Sequence, residues 1–129
     1  MKNAFEDYVR GIVDALGRGD RGFFAPIVTD NVTWRTVGKP PIEGKDAVLD
    51  VIASFATDPL PAVELEHVIT HGRAAAVTGT ITAQGADGSS RKVEFCDVYT
   101  FTGGKERMIR EFIVYIVPID AATTEGASA

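Results

Sequence analysis

The sequence predicts an α+β fold: three N-terminal helices packed in the concave face of a curved, mostly antiparallel sheet, a cone with a central pocket. Two observations carry this. Apolar residues recur at helical spacing before residue 60 and alternate with a period of two from residue 62 onward. The second half is also divided by the turn-forming stretches "HGR", "ADGSS" and "GGKE" into segments long enough for strands. Helices first and an antiparallel meander last is an α+β arrangement. A sheet that must cover three helices has to curl. Closed at one end by helices, it leaves a hollow suited to a small apolar ligand.

Phe5, Tyr8, Val9, Ile12, Val13 and Leu16 recur at helical spacing and predict an amphipathic helix over residues 3–18, closed by Gly17 and Gly19. Asp20 is placed to cap a second, short helix in "RGFFAPIV", which Pro26 limits. "NVTWRTVG" follows as a strand with Val32, Trp34 and Thr36 on one face and Thr33, Arg35 and Val37 on the other. "KPPIEG" reads as a loop. Residues 44–57 form the third helix, with Ala47, Val48, Val51, Ile52 and Phe55 as its apolar stripe and "DPLP" as its stop. Four strands follow in "AVELEHVIT", "AAAVTGTITAQG", "RKVEFCDVYTFT" and "RMIREFIVYIVPI". The expected packing lays an antiparallel sheet of residues 62–118 on the helix at 44–57, with the first helix closing the wide end. Residues 1–120 read as a single domain and 121–129 as a flexible C-terminal tail with too little apolar surface to order itself.

Composition removes several function classes. With 129 residues, 45% of them hydrophobic and 24% charged, the chain can bury a real core. A formal net charge of −5, with no long Lys/Arg cluster, argues against nucleic acid as partner. The N-terminal stretch lacks the uninterrupted apolar core of a signal peptide, and no apolar run approaches the ~20 residues of a membrane span. The single cysteine, Cys96, rules out an internal disulfide and fits a reducing cytosol, so a cytoplasmic location is expected.

One stretch points to chemistry. In "VEFCDVYTF", residues 93–101, an aspartate interrupts an apolar strand, and a buried carboxylate is costly unless paired, hydrogen-bonded or protonated. Counting by twos puts Phe95, Asp97, Tyr99 and Phe101 on one face, and Glu94, Cys96, Val98 and Thr100 on the other. Three aromatics beside Asp97 mark that face as the cavity side, with a structural carboxylate as the plainer alternative. Trp34 and Thr36 share a face of the first strand, where the tryptophan is either an apolar pocket wall with one donor or a plain core residue. On the last strand Glu111 and Tyr115 share a face with Ile113, opposite Arg110, Phe112, Val114 and Ile116. Glu111 is therefore a candidate second carboxylate for Asp97, against the blander reading of an ion pair with Arg110 or Arg91. Both faces of that strand are apolar, so one is expected to meet the helices and the other a second copy of the chain, giving a homodimer. His67 and His71 lie in a strand and turn without a third ligand, and no metal site is expected. Cys96 reads as a buried, inert thiol. No dinucleotide fingerprint or phosphate-binding loop is present, so no cofactor is expected.

The element order, with "GRGDRGFFAPIVTDNVTW", "IEGKDAVLDVIASF" and "FCDVYTFTGGK", resembles the SnoaL-like branch of the nuclear-transport-factor-2-like superfamily over about residues 3–118. That superfamily includes ketosteroid isomerases, limonene epoxide hydrolases and polyketide cyclases. The resemblance implies an α+β cone with a deep pocket, commonly dimeric, but one such fold hosts many activities. Residue by residue, Asp97 matches the aspartic acid of the isomerase oxyanion hole, which is the established example of a carboxyl kept neutral in an apolar site. Thr36 falls where the isomerases keep their general base, and Ile12 falls at or near their oxyanion-hole tyrosine. Steroid isomerisation by that mechanism is not expected. Asp97 also matches the aspartate of the epoxide hydrolases' arginine–aspartate pair, but Phe95 stands in place of the arginine. Their second aspartate falls on Val114, or on Glu111 in a slipped register. The expectation is a pocket protein that binds a small, largely apolar molecule and isomerises, cyclises or hydrolyses it with Asp97 as acid or base. Trp34, Thr36, Phe95, Tyr99, Ile12, Phe55, Glu111 and Tyr115 are the candidate binding residues. A non-catalytic ligand-binding or dimeric interaction module is the alternative.

Overall fold

The computed structural model describes residues 3–119, so the expected tail at 121–129 lies outside the described residues. Asn3 opens the first helix, α1 (Ala4–Arg18), its side chain accepting the Glu6 N–H at 3.1 Å. Val9, Ile12, Val13 and Leu16 form the buried stripe of α1, while Arg10 and Arg18 pair with the carboxylates of Glu6 and Asp14 one turn earlier on the wet side. Gly19, not Gly17, ends the helix: it adopts φ +62° and donates to the Ala15 and Leu16 carbonyls. Gly17 lies inside α1. Asp20 caps α2 (Arg21–Phe24) as expected, accepting the Phe23 N–H at 3.1 Å.

The first strand, β1 (Val28–Thr36), begins earlier than the sequence pattern indicates because Val28 pairs with Ile109. The expected loop at 39–44 contains a short strand, β2 (Ile42–Glu43), which pairs with Thr33 and Trp34. The third helix is shorter than the expected 44–57. α3 covers Lys45–Ala53, and the Ser54 hydroxyl then takes the Val51 carbonyl at 2.5 Å, a local bond that competes with helix continuation. The meander follows as β3 (Ala62–His71), β4 (Ala74–Gln84), β5 (Ser90–Phe101) and β6 (Ile109–Ile119).

The sheet order is β2-β1-β6-β5-β4-β3. All pairings within the meander are antiparallel, whereas β6 and β1 run parallel. α1 lies over β3, while α3 packs chiefly on β1, β2 and α2. The expectation that α3 lies across the meander is corrected: a short connection returns it to the strands it has just left. Across the concave face, β1, β6 and β5 bring Trp34, Phe112 and Tyr99 into one row, with ring centroids 5.0 and 5.7 Å apart. Phe24 packs on Phe112 at 5.9 Å and closes the bottom of the cone.

The curl has a local cause. The β3–β4 register shifts between Leu65 and His67, and Gly79 stands opposite Leu65. A Cβ on Gly79 would collide with the Glu64 carbonyl oxygen, so only glycine allows the two strands to approach here. Gly79→Ala is therefore expected to destabilise the fold by about 3 kcal/mol, because the clash is with backbone and cannot relax through a side chain. Urea denaturation of the two proteins measures it, and a difference near zero would show that the strands separate without cost.

Candidate functional site

The next row of the concave face carries the acid. Asp97 pairs across the sheet with Val114 on β6 and Val77 on β4, directly above the row of aromatic rings. Its alternation with Phe95, Tyr99 and Phe101 is the predicted one: those four side chains are buried and the intervening ones are not fully so. Asp97 is 7% exposed and is the one charged side chain fully buried among the described residues. The Tyr99 hydroxyl, itself fully buried, donates to Asp97 Oδ2 at 2.9 Å. Among the described residues no protein donor reaches Oδ1.

Asp97 lies at the wall of a cavity of about 290 Å³, near the lower end of ligand-pocket volumes. One wall is α1, through Val13, Leu16 and Gly17. A second is the irregular segment after α3, through Ser54, Phe55, Thr57 and Pro61. The sheet supplies the rest: Trp34 from β1, Val63 from β3, Ile81 and Ala83 from β4, Phe95 from β5, and Val114 and Ile116 from β6. Apart from the Ser54 and Thr57 hydroxyls and the Trp34 indole N–H, which Thr36 already accepts, Asp97 is the only polar side chain of this lining among the described residues, and the only ionisable one.

The electrostatics follow from that isolation. Burial without a cation raises the Asp97 carboxyl from 3.8 to about 7, and the Tyr99 hydrogen bond only partly opposes it. Tyr99 is pushed well above its ordinary value of 10.0 by its own burial and by the neighbouring carboxylate, so it remains a donor. Cys96 faces the other side of β5, and burial, with the Asp97 charge, raises its thiol too. Nothing there activates it.

The expected site residues divide into three groups. Trp34, Phe55, Phe95 and Asp97 line the cavity together. Thr36 and Tyr99 sit behind it: Thr36 Oγ1 accepts the Trp34 indole N–H at 3.2 Å and so fixes the ring, and Tyr99 lies beneath Asp97. Ile12, Glu111 and Tyr115 are elsewhere. Ile12 is fully buried between helix and sheet, because the cavity side of α1 is one step further round, at Val13, Leu16 and Gly17. Glu111 and Tyr115 occupy the outer face of β6; Glu111 accepts a long bond from Thr100 Oγ1 at 3.4 Å, and Tyr115 is 44% exposed. Val114 is the residue opposite Asp97, so the position open for a second carboxylate is apolar. No cluster of potential metal ligands exists among the described residues.

A helix-closed, curled sheet with one buried acid at the wall of an apolar cavity defines a pocket protein with the nuclear-transport-factor-2-like fold. Residues 9–108 match the SnoaL-like domain, and the chain belongs to that family. Its fold is similar to that of an NTF2-like protein of unknown function from Cytophaga hutchinsonii, with a TM-score of 0.72 at 20% identity over 87% of this chain and 98% of that one. It is also similar to SalBIII, an epoxide hydrolase/cyclase-like enzyme with a role in pyran ring formation in the polyether salinomycin (TM-score 0.68, 20% identity, 86% and 88% covered). A protein of Jannaschia sp. described as a SnoaL-like polyketide cyclase gives a TM-score of 0.69 at 16% identity, with 92% and 89% covered. No curated protein matches the sequence.

A carboxyl whose value is raised on folding opposes stability once it ionises. The cost is absent below the unfolded value of 3.8, grows as pH rises, and is complete above about 7. It amounts to about 4 kcal/mol. Asp97→Asn keeps an acceptor for Tyr99 and cannot ionise. Its stability relative to wild type should therefore climb by up to about 4 kcal/mol between about pH 4 and pH 8, as read from chemical denaturation. A constant difference across that range would show that Asp97 ionises as easily folded as unfolded.

Proposed function

We propose that this pocket protein binds a small, largely apolar molecule and moves a proton on it with Asp97 as the acid/base. One observation carries the reading: the sole ionisable group lining the apolar cavity is held at Oδ2 by Tyr99, and no protein donor takes its Oδ1. Its value near 7 is close to that of an effective acid or base at neutral pH. Ionised, Asp97 takes a proton from a carbon beside a carbonyl; protonated, it delivers one to the carbonyl oxygen or to an adjacent carbon. Isomerisation or ring closure needs only these steps. Hydrolysis needs a second group to activate water, and Val114 stands at the opposing position. Thr36 and Ile12 supply neither a second base nor an oxyanion donor, so Asp97 acts alone.

Small cyclic ketones in deuterated buffer test this. The protein should catalyse exchange of their α-protons, followed by NMR, at a rate that rises with pH and levels off near 7. Asp97→Asn should lower that rate by about 100-fold or more while the ketones still quench Trp34, the chain's one tryptophan. Equal exchange by both proteins would overturn the acid/base role and leave a binding module of the same fold.

The reading includes a homodimer joined through the outer sheet face. Tyr115, Val117 and Ile69 are exposed there, at 44%, 64% and 59%. Light scattering at micromolar concentration should report twice the chain mass of 13.8 kDa. Tyr115→Arg should shift the molecule to monomer, since it places a charge in the centre of an apolar contact. A monomeric wild-type protein would refute the assembly.

A further inference from the structure

We propose that the cavity also takes small apolar amines, the ammonium group bonding Oδ1 of Asp97 and supplying the counter-charge that no side chain provides there. This rests on the reading of the cavity as a small-molecule site and not on the proton transfer proposed for it.

The hydrogen-bond inventory of the wall carries the inference. The side chains that could donate into the cavity have already given their protons to the chain. The Trp34 indole N–H bonds Thr36 Oγ1 at 3.2 Å. The Ser54 hydroxyl bonds the Val51 carbonyl, and the Thr57 hydroxyl bonds the Pro59 carbonyl at 3.0 Å. A carbonyl can only accept, so the direction of both bonds is fixed. Behind the wall, Tyr99 donates to Asp97 Oδ2 at 2.9 Å. In the segment after α3, the backbone N–H groups of Ser54, Phe55 and Thr57 bond the carbonyls of Asp50, Ile52 and Phe55. Pro61 has no N–H to give. What remains for a ligand is oxygen lone pairs, on Ser54 Oγ, Thr57 Oγ1 and Asp97 Oδ1. Once Asp97 is ionised, the side chains of the lining offer acceptors and no donor among the described residues. A carboxylate finds no partner there, whereas an N–H donor does.

The charge is complementary as well. No Lys or Arg lines the cavity, and none pairs with Asp97 among the described residues. The lining contributed by α1, by the segment after α3 and by β1, β3, β4 and β6 holds no titratable group. On β5 itself, Tyr99 remains a neutral donor, and Cys96 faces the other side with its thiol raised by burial. Asp14 and Arg18, toward the end of α1, bond each other at 3.1 Å. An ammonium beside Asp97 therefore meets one unopposed negative charge, in a chain that carries −5. Trp34, Phe55 and Phe95 stand in the same wall, and aromatic rings receive a cation better than aliphatic side chains do. The rest of the lining is mostly aliphatic, which makes the remainder of the ligand an apolar body.

Cyclohexylmethylamine and its uncharged counterpart cyclohexylmethanol, followed by Trp34 fluorescence from about pH 5 to about pH 8.5, test this. The amine stays protonated throughout, since its value is close to that of lysine, about 10. At about pH 8.5 it should bind wild type about tenfold more tightly than the alcohol, or better. That lead should shrink as pH falls through about 7, where Asp97 takes up its proton, while the affinity for the alcohol changes little. Calorimetry in buffers of different ionisation enthalpy should show close to one proton released when the amine binds at about pH 6, and almost none at about pH 8.5, because the ammonium forces Asp97 to ionise. Asp97→Asn should bind the two compounds about equally at every pH, its hold on the alcohol showing that the cavity is intact. A lead for the amine that persists in Asp97→Asn, or unchanged at about pH 5, would come from the net charge of the chain and overturns the inference. So does an alcohol that binds wild type as tightly as the amine at about pH 8.5, an outcome that leaves the small-molecule reading of the cavity standing. If neither compound binds at any pH, that reading falls and this inference with it.

Discussion

The parallel pairing of β6 with β1 is the constraint on which the site depends. The meander makes its own antiparallel contacts, but it supplies neither Trp34 nor the helices that close the cone. β6 lies between the two halves of the sheet and registers Trp34 on Phe112 and Thr36 on Val114. Its other edge registers Phe112 on Tyr99 and Val114 on Asp97. One central strand thus aligns two rows: aromatic rings below, and an acid between valines above. If β1 slipped by one residue, Trp34 would turn to the outer face and the floor of the cavity would be lost.

Asp97 works against the fold that holds it. Interiors normally satisfy a carboxylate with a cation or several N–H donors. Here, among the described residues, one phenol supplies the sole bond, and valines flank it on both neighbouring strands. An asparagine would keep the Tyr99 bond without a charge. Strong perturbation of an ionisable group without structural compensation, inside a cavity, is the pattern that marks functional sites. Tyr99 tempers it. Its bond holds one carboxyl oxygen in place and so restricts rotation of the group.

The fold class was legible because the change of period near residue 60 is a property of the chain alone. The face of Asp97 was legible for the same reason: parity within a single strand needs no partner. Pairing between strands was not. The sequence left open whether Val114 or Glu111 opposes Asp97, because the count is broken by the turn after Phe101 and by the register shift between Thr100 and Phe101. The parallel partnership of β1 and β6 likewise leaves no mark on periodicity. Ile12 was misplaced by a single step of α1. One step rotates a side chain by about 100°, enough to move it from cavity to core. Phe55 was assigned to a helical stripe and reaches the cavity from the turn beyond α3, so its residence was legible and its means was not. Ser54 gave the missed signal, a hydroxyl able to take the carbonyl of Val51 and stop the helix.

The cavity itself comes from side chains that are small where the fold would accept large ones. The concave face is filled around Phe24, Phe112 and Tyr99, all buried, and then opens toward Ala83 and Gly17. α1 crosses the sheet from β3 to the Phe101 end of β5, where Phe5 and Tyr8 pack on that ring, while α3 stays with β1 and β2, and the cavity lies between α1 and the segment after α3. That division follows from chain connectivity: α3 is bound by short links to β2, and α1 ends at Gly19 before it can reach further. The sheet, bent by the bulge opposite Gly79, curves toward helices too few to fill it. What remains is an apolar hollow with its acid already placed. Variation in a handful of wall residues then changes what enters without disturbing the two rows that hold the acid. That separation of frame from lining is a physical reason why one fold serves many small-molecule chemistries.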